Sequence, residues 1–245
     1  MSESPAIARS VPPLVLVPGL DGTGLLFYRQ VPLLSRRYEV TTVALRDDRR
    51  HMDELVADLD VRITALGRPV TLVGESFGGA LSLSYALAHP DRVARLVIIN
   101  SFPHFGPQGR LRLGYHLARV TPWAVMPLVR RLTAWRLHSA HTEPADLRRF
   151  RLLMRRTTRE GYLARLGILR EYDVRARLPE ITAPALFLAS DRDHLVPAVE
   201  QARLMAAHVP RATLRVLEGH GHICLIAPDL DLLGILDDWV TSIAD

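Results

Sequence analysis

Apolar positions in the chain gather into short continuous runs, each parted from the next by an amphipathic stretch or a turn. Leu14 to Val17 is one such run, closed by Pro18 and Gly19, and Val40 to Ala44 is rich in β-branched residues. Val70 to Val73, Leu96 to Ile99, Ala185 to Ala189 and Thr213 to Leu217 repeat the pattern. Runs of this length without polar alternation predict strands buried on both faces. Between them, Asp53 to Leu66 sets Leu55, Val56, Leu59, Ile63 and Leu66 at helical spacing ahead of Gly67, and Phe77 to Leu87 and Val199 to His208 read as two more helices. Strands alternating with helices predict an α/β fold, a mostly parallel sheet covered by helices on both faces.

From Phe105 to Arg177 the rhythm breaks: the segment is helical in pattern, without a clear strand, and the sheet pattern resumes near Ala185. This predicts residues 105–177 as an inserted helical cap on a core formed by residues 1–104 and 178–245. Charge sharpens the picture. All 31 basic residues are Arg, and 16 of them lie between Arg110 and Arg177 against five acids, so that segment carries +11 in a chain of net +5. Two readings stay open, a solvated helical face or a docking surface for an acidic partner. No zinc-finger spacing or basic-aromatic motif accompanies the charge, so nucleic acid is not an expected partner.

The 245 residues, 48% hydrophobic and 23% charged, suffice for a sizeable core. The apolar runs are too short and interrupted for a transmembrane segment or a secretory signal, and the lone Cys224 cannot pair within the chain. A cytoplasmic location is the expectation.

Candidate chemistry begins at Gly74-Glu75-Ser76-Phe77-Gly78, a Gly-x-Ser-x-Gly pattern between a predicted strand and a predicted helix. In that context the pattern makes Ser76 a nucleophile on a strained turn, with the glycines allowing neighbouring backbones to come close. A serine needs a base, and acyl chemistry of this kind expects the order Ser, acid, His. The loop after Ala189 offers Asp191 and Asp193, and the loop after Leu217 offers His220 and His222. Asp193 is preferred because Asp191 lies nearer the strand and can brace the turn, and His222 is preferred over His220. An earlier position for the acid, after Ile99, holds Asn100 and Ser101 and no carboxylate. Two amides should bind the oxyanion: that of Phe77, and one from the glycine-rich loop Pro18 to Gly24, with Leu20 first and Asp21 second. That loop lacks the Lys of a phosphate-binding loop. His104, His116 and His138 show no ligand spacing, so neither a metal nor another cofactor is expected.

Together these motifs resemble the α/β-hydrolase superfamily over nearly the whole chain apart from the cap. More narrowly, "PGLDGTG" at Pro18 to Gly24, "LVGESFGG" at Leu72 to Gly79, "SDRDHLVP" at Ser190 to Pro197 and "GHICL" at Gly221 to Leu225 resemble the hydrolase portion of phytyl ester synthase and diacylglycerol acyltransferase-like proteins. The resemblance implies Ser76 as nucleophile, Asp193 as acid and His222 as base. Those larger proteins carry an acyltransferase domain that has no counterpart in the 245 residues, and the isolated His141-x4-Asp146 pair is no commoner than chance. A further likeness is to the carrier-protein methyl esterases of biotin synthesis, whose cap arginines grip an acidic carrier.

The expected activity is serine-dependent hydrolysis of a small-molecule acyl ester, with an acidic carrier protein or a coenzyme A thioester as the partner a basic cap would select. Acyl transfer, thioester hydrolysis and carbon-carbon hydrolysis use the same triad, and a silent ligand-binding receptor is the alternative from another class. Phe102, Phe105, Trp123, Met126, Leu128, Leu132, Trp135 and Leu152 are expected mainly in the core, with some facing Ser76. Cys224 is expected as buried packing.

Overall fold

The computed structural model describes residues 11–106, 115–126, 128 and 137–243. Its strands are β1 (Leu14–Val17), β2 (Val40–Thr42), β3 (Val70–Glu75), β4 (Val93–Ile99), β5 (Ala185–Ser190) and β6 (Ala212–Leu217). They form one sheet in the order β2-β1-β3-β4-β5-β6, with every neighbouring pair parallel. Its helices include α1 (Gln30–Leu34), α2 (Met52–Thr64), α3 (Phe77–Ala88), α4 (Pro144–Leu153), α5 (Arg159–Ile168), α6 (Ala198–His208) and α7 (Leu232–Ser242).

Side chains alternate across a strand, so each strand divides its apolar residues between two layers. Val15, Val17, Leu72, Leu96, Ile98 and Phe187 pack with α2, α3 and α6. Leu14, Leu16, Val73, Val97, Ile99 and Leu188 pack with α1 and α7 on the opposite face. The two-sided burial anticipated from the continuous runs therefore holds for β1, β3 and β5, which are buried at every position. It fails at the edges. Expected as a buried strand over Thr213 to Leu217, β6 is half-buried or exposed except at Leu217. β2 ends at Thr42, short of the expected Ala44, and is likewise only partly covered. An edge strand has a neighbour on one side only, and a β-branched or apolar run does not distinguish edge from centre.

After β1 the chain runs to β2 on one side and later returns to β3 on the other, so β1 and β3 flank the point where the strand order reverses. Crevices at the carboxyl ends of strands around such a point are where ligands bind on open α/β sheets. The loops after β1 and β3 are those of Gly19 and Ser76. Within residues 105–177, helices α4 and α5 follow a 3₁₀ turn at Trp123–Val125, and α5 is capped by the Thr158 hydroxyl, which accepts from the Gly161 amide at 3.0 Å.

Candidate active site

Ser76 ends β3 and caps α3 with φ 54° and ψ −118°, a conformation that costs a non-glycine residue roughly 1–3 kcal/mol. Surrounding bonds hold it there: the Ser76 amide donates to the Ile99 carbonyl at 2.9 Å, and the Ser101 hydroxyl donates to the Ser76 carbonyl at 2.6 Å. The flanking glycines have a steric reason. A Cβ on Gly74 would lie 2.3 Å from the Gly78 carbonyl oxygen, and one on Gly78 would lie 2.2 Å from that of Val17. The turn closes only where both lack side chains.

Two loops that follow neighbouring strands bring the acid and the base to this turn. His222 Nε2 lies 2.9 Å from Ser76 Oγ, and its Nδ1 lies 2.7 Å from Asp193 Oδ2. The other carboxylate oxygen, Asp193 Oδ1, accepts from the amides of Leu195 and Val196, both at 2.9 Å, which fixes the carboxylate plane. With a carboxylate facing Nδ1, the imidazole proton is placed there, and Nε2 is left to accept from the hydroxyl. The rejected alternatives stand elsewhere. Asp191 accepts from the Gly219 amide at 2.7 Å and braces the turn, and His220 Nδ1 meets the Ser139 hydroxyl at 3.0 Å.

The two segments that hold the predicted oxyanion donors, the loop after β1 and the start of α3, both lie at Ser76. A Cβ on Gly19 would lie 3.5 Å from Ser76 Cβ, so the loop after β1 passes beside Ser76. The Gly22 amide donates to the Gly19 carbonyl at 3.0 Å, and across a trans peptide this turns the Leu20 N–H to the opposite side. The Phe77 amide is in the first turn of α3, where no intrahelical acceptor exists.

Several residues of the site escaped the motif search. Asn100, at φ 47°, donates from Nδ2 to the His222 carbonyl at 2.8 Å and to Ser190 Oγ at 2.9 Å, while its Oδ1 accepts from the Ser190 amide at 2.7 Å. It ties the end of β4 to both loops of the acid and base. Glu75, 5% exposed, lines the cavity beside Ser76, and burial pushes its carboxyl up to about 7 against the opposing pull of His222. A charged residue ending the buried strand β3 was the available signal. Arg165 is 1% exposed and reaches the loop after β1 from α5.

Above Ser76 lies a cavity of about 320 Å³, walled by Leu26, Leu137, Phe150, Met154, Leu195 and Ile223 and closed in part by Met126 and Tyr162. Of the aromatic and apolar residues expected mainly in the core, Phe102 is buried there and Met126 faces the site. Leu128 and Leu152 are 54% and 62% exposed, a correction to that expectation, and line an outer groove with Trp123. Leu132 and Trp135 lie outside the described residues. Cys224 is fully buried, within 3.5 Å of Asn100 Nδ2. Asp146 of the chance His-x4-Asp pair accepts from Tyr28 and Arg29 at 2.6 and 2.5 Å and anchors α4 to the core.

The chain belongs to the alpha/beta hydrolase fold family, whose model matches residues 12–227. A relative described as "Putative carbamate hydrolase RutD" from Caulobacter vibrioides is 30% identical over 246 residues, spanning 89% of this chain and 85% of its own length. Among solved structures, a thermophilic esterase from Thermogutta terrifontis superposes with a TM-score of 0.81 at 21% identity, covering 96% of this chain and 92% of its own. The enol-lactonase from Burkholderia xenovorans LB400 superposes at 0.79 with 22% identity, covering 96% and 91%. The superfamily resemblance thus holds, and hydrolase is the class that the family and its relatives support. These relatives carry names other than phytyl ester synthase. Among the described residues no helix is long and apolar enough to cross a membrane.

Proposed function

We propose that this protein hydrolyses carboxylic (acyl) esters through an acyl-enzyme formed on Ser76. The observation that carries the reading is the unbroken chain Ser76 Oγ, His222, Asp193 at 2.9 and 2.7 Å under an apolar cavity. His222 Nε2 takes the hydroxyl proton as Oγ attacks the carbonyl carbon, and the amides of Leu20 and Phe77 receive the charge that forms on the carbonyl oxygen. The imidazolium, oriented by Asp193, gives the proton to the departing alkoxide. Water then repeats the sequence on the acyl-serine and releases the acid.

Residues 105–177 act in this reading as a roof, since Met126, Phe150, Met154 and Tyr162 come from them and wall the acyl cavity. The four motifs shared with the phytyl ester synthase group support an acyl ester as substrate. The relatives named as carbamate hydrolases favour a second reading, because a carbamate carbonyl is open to the same attack. A panel of p-nitrophenyl esters of graded acyl length, with an N-alkyl carbamate alongside, tests both. Ester turnover by the parent and not by Ser76→Ala supports the proposal and dismisses a silent receptor, carbamate preference supports the second reading, and no turnover of either sinks both. A buried, unpaired Cys224 suits the cytoplasm as the working compartment.

Met126, Phe150 and Met154 also line a second groove, of about 1070 Å³, edged by Arg148, Arg151 and Arg155. These three project from α4 and the turn after it at helical spacing, and among the described residues none has an acidic partner. That is the surface on which an acidic carrier protein or the phosphates of a coenzyme A thioester would dock. Raising salt from about 50 to about 500 mM should lower kcat/KM for an acyl-coenzyme A substrate by about tenfold and change it less than about twofold for a neutral ester of the same acyl group. Equal, shallow responses would assign the arginines to a solvated face.

The pH dependence of the site has a definite sign. Burial opposes the imidazolium of His222, but the Asp193 carboxylate, its hydrogen bond and Glu75 outweigh it, leaving its pKa above the ordinary 6.5. Activity, as kcat/KM, should therefore rise with pH with a midpoint above 6.5. Glu75→Gln removes one of the charges favouring imidazolium, so the midpoint should move down. An upward or absent shift in the pH profile of that variant would remove Glu75 from the electrostatics of the base.

A further inference from the structure

We infer that Arg165, a cap residue, is a positioning residue for the oxyanion loop, and that it makes the roof and the catalytic floor one mechanical unit. The inference rests on the hydrolase reading above. Arg165 lies in α5, 145 residues from Leu20, and is 1% exposed. Its Nε donates to the Leu20 carbonyl at 3.0 Å, one terminal nitrogen donates to the Asp21 carbonyl at 3.3 Å, and the other donates to Asp47 Oδ1 at 3.1 Å. The fork of a guanidinium suits this, since its donors lie in one plane at fixed angles.

Those bonds complete a set. The Gly19 carbonyl accepts from Gly22 and the Gly22 carbonyl from Leu45, at 3.0 and 2.8 Å, so all four carbonyls from Gly19 to Gly22 are held. Among the described residues the Leu20 amide, on this stretch beside Ser76, has no hydrogen-bond acceptor. The Leu20 N–H shares its peptide plane with the Gly19 carbonyl that Gly22 holds, and Arg165 fixes the two planes that follow, so Leu20 is held on both sides. The surroundings are shaped to the guanidinium: Gly22, at φ +70°, leaves room that a Cβ would close to 2.5 Å from it. Asp47 is held in turn by the Thr158 hydroxyl, at 2.7 Å, so the carboxylate that pairs with Arg165 also anchors the start of α5.

The test compares Arg165→Met, Arg165→Lys and Asp47→Asn with the parent and Ser76→Ala. The readouts are labelling of Ser76 by a fluorophosphonate, resolved into binding and inactivation rate constants, and deuterium uptake of the 18–24 segment. A loosened oxyanion hole should slow inactivation by about 10- to 100-fold in Arg165→Met while reagent binding stays within about threefold. Deuterium uptake at 18–24 should rise. Arg165→Lys keeps the charge with Asp47 but loses the fork, so it should retain the fold and fall between Met and the parent, at least about fivefold below the parent. Asp47→Asn should cost less in rate than Arg165→Met, because the carbonyl bonds remain. Inactivation within about threefold of the parent in Arg165→Lys, or in folded Arg165→Met, would overturn the positioning role and leave the hydrolase reading standing. Labelling that persists in Ser76→Ala would instead overturn the hydrolase reading.

Discussion

Replacing Ser76 with alanine should lower kcat for an ester substrate by about 10⁵- to 10⁶-fold, the scale of loss when the nucleophile of a triad is removed. Only one oxygen is lost, and the reason for so large an effect lies in the geometry. In the proposed reaction Oγ both receives the acyl group and gives its proton to His222 Nε2, which it meets at 2.9 Å. The fold should survive, because Ser76 holds its place through backbone bonds to Ile99 and Ser101 and not through the hydroxyl. Alanine at φ 54° carries the same backbone strain as serine, so the melting temperature should stay near that of the parent. Steady-state kinetics with circular dichroism measures both, and turnover near the parent rate in a folded variant would remove Ser76 from the mechanism.

The second large effect separates neighbours in the same loops. His222→Ala should cost about as much as loss of the nucleophile, and Asp193→Asn about 10⁴-fold, since an amide at that position favours the wrong imidazole tautomer. Asp191→Asn and His220→Ala should each stay within about tenfold, as the first braces Gly219 and the second meets Ser139, neither at the reacting atoms. Asp193→Asn also keeps the two amide bonds from Leu195 and Val196 with its carbonyl oxygen, so the loss is expected in rate and not in folding. Rates for the four variants on one ester decide the assignment. A greater loss in His220→Ala than in His222→Ala would reverse it.

What the sequence exposed, and what it concealed, follows from the range of the interactions involved. The central strands β1, β3 and β5 were readable because burial on both faces demands unbroken apolar runs such as Leu14 to Val17. The Ser76 turn was readable because a local steric conflict, at Gly74 and Gly78, restricts residues two positions either side of the nucleophile. Asp193 and His222 were separable from Asp191 and His220 by loop position, and the structure brings the first of each pair to Ser76. Exposure at the edges was hidden, because β6 reads like a central strand until its neighbours are known. Asn100 was noticed only as the absence of a carboxylate, although its side chain joins β4 to both catalytic loops. Arg165 was one among sixteen cap arginines. Nothing local marks it as the buried one, since its partners are 145 and 118 residues away.

The central claim is that an acyl group resides on Ser76 during turnover. Mixing the enzyme with an excess of a p-nitrophenyl ester, quenching in acid within milliseconds and mapping peptides by mass spectrometry measures this directly. The account predicts the acyl mass on the peptide that holds Ser76, together with a burst of p-nitrophenol of up to one equivalent per site. Active enzyme with the acyl mass on another residue, or with steady turnover and no adduct under any quench time, would contradict it.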